Sequence, residues 1–190
     1  MCTYKRICIT SRKLAGRDFL ERLKKVVQNG VDAVILREKD LSEREYEHLA
    51  RDVIAICEEY HTLCILHSFK EAAKRLNHPY IHLPMPQFLE LKEEERQYFK
   101  VIGVSTHTVE EAKLAERKGA NYITASHIFP TECKPGLAPR GLQYLREVCD
   151  SVAIEVYALG GIHPDNLQLC VEAGADGICM MSEYMRNKEA

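Results

Sequence analysis

Eight short apolar runs, each followed by a helical pattern, constrain what this chain can fold into more than any other feature. They are Arg6–Thr10, Ala33–Leu36, Leu63–Leu66, Tyr80–Leu83, Val101–Val104, Tyr122–Ala125, Ile154–Ala158 and Gly177–Met180. Most are apolar on both faces, as strands covered on both sides of a parallel sheet must be. Phe19, Leu20, Leu23, Val26 and Val27 share one face of a helix expected over Asp18–Gln28, with Gly30 as its stop. Ser42 with Glu45 three places on predicts a capping box, opening a helix to about Tyr60. Pro84-Met85-Pro86 opens a charged helix ending near Tyr98, and Pro164 opens another to Ala173. Eight alternations predict the α/β class and, by closure at eight, a (β/α)8 TIM barrel with a short last helix. A doubly wound open sheet is the runner-up, but no Gly-x-Gly-x-x-Gly follows the first strand.

With 190 residues and no Pro/Gly/Ser-rich linker, residues 1–190 read as one domain. Lys and Arg are interspersed with Asp and Glu at a formal charge of -2, which gives no footprint for nucleic acid. The eight cysteines are scattered, without a Cys-x-x-Cys pair, and read as small buried hydrophobes rather than a disulfide framework or zinc site. The N-terminus enters a short strand without a secretory pattern, and no run approaches a membrane span. The expectation is a cytoplasmic protein that contacts no membrane. The short last helix could leave apolar barrel surface for a second copy to cover, in a homo-oligomer.

Barrels of this type place their chemistry at the C-terminal ends of the strands. Arg37, Glu38 and Lys39 follow the second strand, His67 the third, His107 the fifth and His127 the sixth, while His82 lies within the end of the fourth. The segment after the sixth strand, up to Gly141, holds His127, Lys134, Arg140 and three prolines, so it is a stiff loop carrying chemistry. Histidine exchanges protons near neutrality, and His127 is the leading acid/base. A strand-end histidine is also often a loop hydrogen-bonder, and the charged triplet could be a solvated turn. Gly160-Gly161 and the segment Gly177–Ser182 fall where such barrels hold phosphate through backbone N–H groups, although glycines also serve turns. One histidine per loop, with no paired carboxylate, argues against a metal centre. The residues alone therefore point to a barrel that binds a small phosphorylated ligand.

Leu36-Arg37-Glu38-Lys39, Gly103-Val104-Ser105-Thr106-His107-Thr108, Ile128-Phe129-Pro130-Thr131-Glu132-Cys133-Lys134, Ala158-Leu159-Gly160-Gly161-Ile162 and Gly174-Ala175-Asp176-Gly177 keep one order and spacing over nearly the whole chain. Together they resemble the thiamine-phosphate synthase superfamily, itself a (β/α)8 fold. The synthase joins a pyrimidine pyrophosphate to a thiazole phosphate with Mg2+, held by an Asn-Asp pair after strand three and an Asp after strand four. Those places read His67-Ser68 and Pro84-Met85-Pro86-Gln87. A hard cation needs anionic oxygens, so Mg2+ should not be held in the synthase manner.

The TenI-type thiazole tautomerase branch is more similar in the sixth-strand loop, with His127, Thr131, Cys133, Lys134, Gly136, Leu137, Arg140 and Gly141. This resemblance implies an isomerase that aromatises a phosphorylated carboxythiazole tautomer by metal-free acid/base transfer, without a cofactor. His127 would be catalytic, with His67 and His107 as secondary candidates. Arg37, Lys39, Thr131 and Lys134 would bind substrate, and backbone groups at Gly160, Gly161, Met181 and Ser182 would hold its phosphate. The alternatives are the synthase itself and a non-catalytic ligand-binding or regulatory homologue.

Overall fold

A computed structural model describes residues 4–132 and 136–186. In chain order the elements are β1 (Lys5–Ile9), α1 (Arg12–Ala15), α2 (Phe19–Gln28), β2 (Ala33–Leu36), α3 (Glu43–Glu59), β3 (Leu63–His67), α4 (Lys70–Arg75), β4 (Tyr80–Pro84), α5 (Met85–Leu89) and α6 (Glu93–Tyr98). They continue with β5 (Val101–Thr106), α7 (Val109–Arg117), β6 (Tyr122–Ser126), α8 (Gly141–Ser151), β7 (Glu155–Leu159), α9 (Leu167–Glu172), β8 (Gly177–Met180) and α10 (Ser182–Met185). The eight strands pair in parallel in sequence order and close, β8 against β1, into the expected (β/α)8 barrel. No helix among the described residues is long and apolar enough to cross a membrane.

Two apolar layers follow from strand alternation. Ile7, Ile9, Ala33, Ile35, Ile65, Tyr122, Tyr157 and Cys179 fill the barrel interior. Residues of opposite parity, among them Cys8, Val34, Leu36, Leu66 and Ile123, pack outward against helical residues such as Leu23, Tyr46 and Val53. The six described cysteines are free thiols.

The capping box forms as expected: the Ser42 Oγ accepts the Glu45 N–H, and the Glu45 carboxylate accepts the Ser42 N–H at 2.9 Å. Two helical expectations are corrected, and one helix is added. The helix expected from Pro84 to Tyr98 is two, because Leu91 turns into the core and Glu95 accepts the Lys92 N–H at 3.0 Å, starting α6 afresh. The helix expected from Pro164 begins at Leu167, since Asn166 holds the preceding turn by accepting the His163 N–H at 2.8 Å. The short α1 was not anticipated; the Glu38 carboxylate accepts the Arg12 N–H at its first residue.

Candidate active site at the barrel mouth

A cavity of about 340 Å3 opens at the C-terminal ends of the strands. Of the residues expected in the site, Arg37, His127, Thr131, Gly160, Gly161, Met181 and Ser182 line it. Lys39, His67 and His107 do not, and Lys134 lies outside the described residues. Ser11 and Ser126 line it without having been anticipated. Ser126 was legible in principle, since it shares strand parity with the inward-facing Tyr122. A second cavity, of about 490 Å3, lies between α1 and α2 and includes none of these residues.

Each lining side chain is placed by backbone. His127 follows β6 directly and is buried; its Nε2 lies 3.3 Å from the Leu137 carbonyl, and its own carbonyl accepts the Arg140 N–H at 2.9 Å. Ile128 and Phe129 donate their N–H groups to the carbonyls of Leu159 and Gly160, tying the β6 loop to the β7 loop. That close approach demands glycine: a Cβ on Gly161 would stand 2.3 Å from the Pro130 carbonyl oxygen. His107 Nδ1 lies 3.1 Å from the Ser126 carbonyl and 3.2 Å from its Oγ, so that ring buttresses the wall.

On the opposite side, register sets the neighbours. Leu36 pairs with Leu66, and His67 pairs with His82, so Arg37, His67 and His82 follow one another across three adjacent strand ends. The two imidazoles stack with centroids 5.6 Å apart and are both buried. His67 Nδ1 lies 2.7 Å from Ser68 Oγ; His82 bridges the Tyr122 hydroxyl at 3.0 Å and the Ser105 hydroxyl at 2.8 Å. Burial, with the positive charges of Lys39 and Arg37, pushes His82 down to about 3. Burial, the neighbouring His82 and the same two cations hold His67 well below the usual imidazole range. Both rings are therefore neutral at physiological pH.

Glu38 is buried, but it does not face this cavity as a free carboxylate. It accepts hydrogen bonds from Thr10 Oγ1 at 2.8 Å and the Arg12 N–H at 3.0 Å. Burial pushes its carboxyl up, against the opposing pull of those donors. Asp40 is paired with Arg12 and Lys13. The mouth of β3 and β4 thus offers two neutral imidazoles, hydroxyls and a nearby pair of cations. Among the described residues, no group of three His, Cys, Asp or Glu side chains could hold a metal ion. The donor set does not fit Mg2+, whose binding requires carboxylate or phosphate oxygen.

Fold and site define a (β/α)8 barrel whose strand-end cavity is walled by an arginine, a histidine and two glycine-dependent loops. The sequence profile of the family described as thiamine monophosphate synthase matches residues 7–184, and the chain belongs to that family. A protein of Aquifex aeolicus named "Putative thiamine-phosphate synthase 2" is 40% identical over 177 residues, covering 93% of this chain and 95% of the relative. The thiamine-phosphate synthase of Shouchella clausii is 34% identical over 180 residues, 92% of this chain and 84% of the relative. The solved thiamine phosphate pyrophosphorylase of Pyrococcus furiosus superposes with a TM-score of 0.85 at 29% identity, covering 99% of this chain and 90% of that one. These names correct the expected isomerase. A synthase of this kind is a transferase, and the likeness extends over nearly the whole chain, whereas the tautomerase expectation rested on the loop after β6 and on the missing Mg2+-binding carboxylates after β3 and β4.

Proposed function

We propose that the chain is a thiamine-phosphate synthase, joining a pyrimidine pyrophosphate to a thiazole phosphate at the mouth of the barrel. The observation that carries this reading is the strand-end cavity, with Arg37 on one side and Gly160, Gly161, Met181 and Ser182 on the other, in a chain of this family. In the reaction, the bond from carbon to pyrophosphate oxygen breaks as the thiazole nitrogen bonds to that carbon. Pyrophosphate leaves with the electron pair. Little covalent work falls to the protein, so positioning and charge stabilisation dominate.

Backbone N–H groups around Gly160, Gly161, Met181 and Ser182 hold the thiazole phosphate, and Thr131 closes that side of the cavity. His127, fixed by Leu137 and by the β7 loop, packs against the heterocycle. Arg37 stabilises the negative charge that develops on the leaving group, with Lys39 following it on the same loop. Removing such a donor typically costs about 10²–10³-fold in turnover.

The test is direct. Purified protein is incubated with both substrates, in EDTA and in excess MgCl2, and thiamine phosphate is quantified against a protein-free control. Product above background, reduced about 10²-fold in Arg37→Gln, is expected. Absence of product under both conditions sinks the reading.

A further inference from the structure

Resting on the synthase reading, we infer that the β2–β4 side of the mouth is a metal-free pyrophosphate site, in which Arg37 and Lys39 neutralise the ligand directly and no divalent cation is required. Three observations converge. Register lines up Arg37, His67 and His82 on neighbouring strand ends, so the cationic loop after β2 borders the two imidazoles. Arg37 lines the cavity and the exposed Lys39 stands two residues on in the same loop; the positive charges of both help keep the buried imidazoles neutral. The carboxylates on the β2 loop are already engaged: Glu38 by Thr10 and Arg12, Asp40 by Arg12 and Lys13.

A divalent cation at this place would meet two positive charges, and the carboxylates of the β2 loop, Glu38 and Asp40, are already paired. Beyond the oxygens of the polyanion itself, the cation's protein ligands would be uncharged imidazoles and hydroxyls, whereas Mg2+ is ordinarily held by one or two carboxylates as well. A polyanion meets the reverse. Guanidinium offers a planar fork of donors matched to phosphate oxygens, and ammonium adds a compact second charge. His67 and His82, held neutral and hydrogen-bonded, contribute a polar wall without competing for the anion.

The probe is inorganic pyrophosphate, titrated calorimetrically into the intact chain. Binding in EDTA is expected, weakened about tenfold or more in Arg37→Gln and in Lys39→Gln. Excess MgCl2 should leave wild-type affinity unchanged or lower it, because the ion masks the charge that the two side chains read. Lys39 is exposed, so Lys39→Gln keeps the test valid should Arg37→Gln fail to fold by circular dichroism. Binding seen only with MgCl2, or no wild-type binding at all, overturns the inference. So does unchanged affinity in folded variants. The two readings fail separately: Mg2+-dependent product formation would preserve the synthase and remove the metal-free site, whereas pyrophosphate binding in EDTA without product would do the opposite.

Discussion

Gly160 lies directly against His127: a Cβ on the glycine would stand 2.4 Å from the histidine Cβ and 2.9 Å from its Cα. The φ of Gly160 is +105°, a region that other residues rarely adopt. One position thus fixes both the turn after β7 and the seat of the histidine after β6. Gly160→Ala should lose roughly 2–5 kcal/mol by urea unfolding, from backbone strain and overpacking together. Gly119, at φ +87° in open space, is the control. Gly119→Ala should lose only about 1 kcal/mol. Equal losses would refute the packing argument.

Tyr46 joins two strand ends. Its hydroxyl donates to the Leu36 carbonyl at 2.6 Å and accepts the His67 N–H at 2.8 Å, all within the core. Tyr46→Phe strands both backbone groups and should cost about 1–3 kcal/mol. Because Arg37 follows Leu36, pyrophosphate affinity should fall with it. A variant with wild-type stability and affinity would remove Tyr46 from this role.

Glu95 is a buried carboxylate between Lys70 and Lys74, at 2.9 and 2.7 Å. Burial opposes its ionisation, but the two lysines and the Lys92 N–H prevail and hold it down, from an ordinary 4.5 to about 2. Its contribution is complete above about pH 4.5 and is lost as pH falls through about 2. Both lysines are about a third exposed, so Glu95→Gln should lose only about 1–2 kcal/mol at pH 7. Its acid unfolding limb should be flatter than that of wild type below pH 4.5.

His82 acts in the same direction over a higher pH interval. Burial and the two cations depress it from 6.5 to about 3, so in that interval the unfolded chain binds the proton and the folded chain does not. Stability is complete above about 6.5 and declines as pH falls towards 3, by up to about 1.4 kcal/mol per pH unit from this group. His82→Gln should flatten the slope between pH 6.5 and 4.5, above the range in which Glu95 acts. An unchanged slope would place the acid sensitivity elsewhere.

Burial pushes the thiols of Cys8 and Cys179 far up, and that of Cys170 up to about 11. Iodoacetamide labelling near pH 8, read by peptide mass, should spare all three in the native chain and reach them in urea. Native labelling at Cys8 or Cys179 would mean that the barrel opens at the β8–β1 seam.

The sequence by itself determined the barrel, because strand burial and helix amphipathicity are local periodicities written into successive residues. Ser42 and Glu45 set their own cap for the same reason: both partners lie within one helical turn. Tertiary structure decided what depends on contacts between distant residues. Only the pairing of strands far apart in the chain brings Tyr122 to His82, forty positions away, and lines Arg37 beside His67. Glu38, a charged strand-end residue in the sequence, is drawn away from the cavity by Thr10 and Arg12. Gly160 and Gly161 read as a phosphate loop, yet they are also required by the backbone crossing them at His127 and Pro130. A residue's type and spacing announce its chemistry, but the packing of neighbouring strand ends decides which groups are buried, which are paired and which charges they feel.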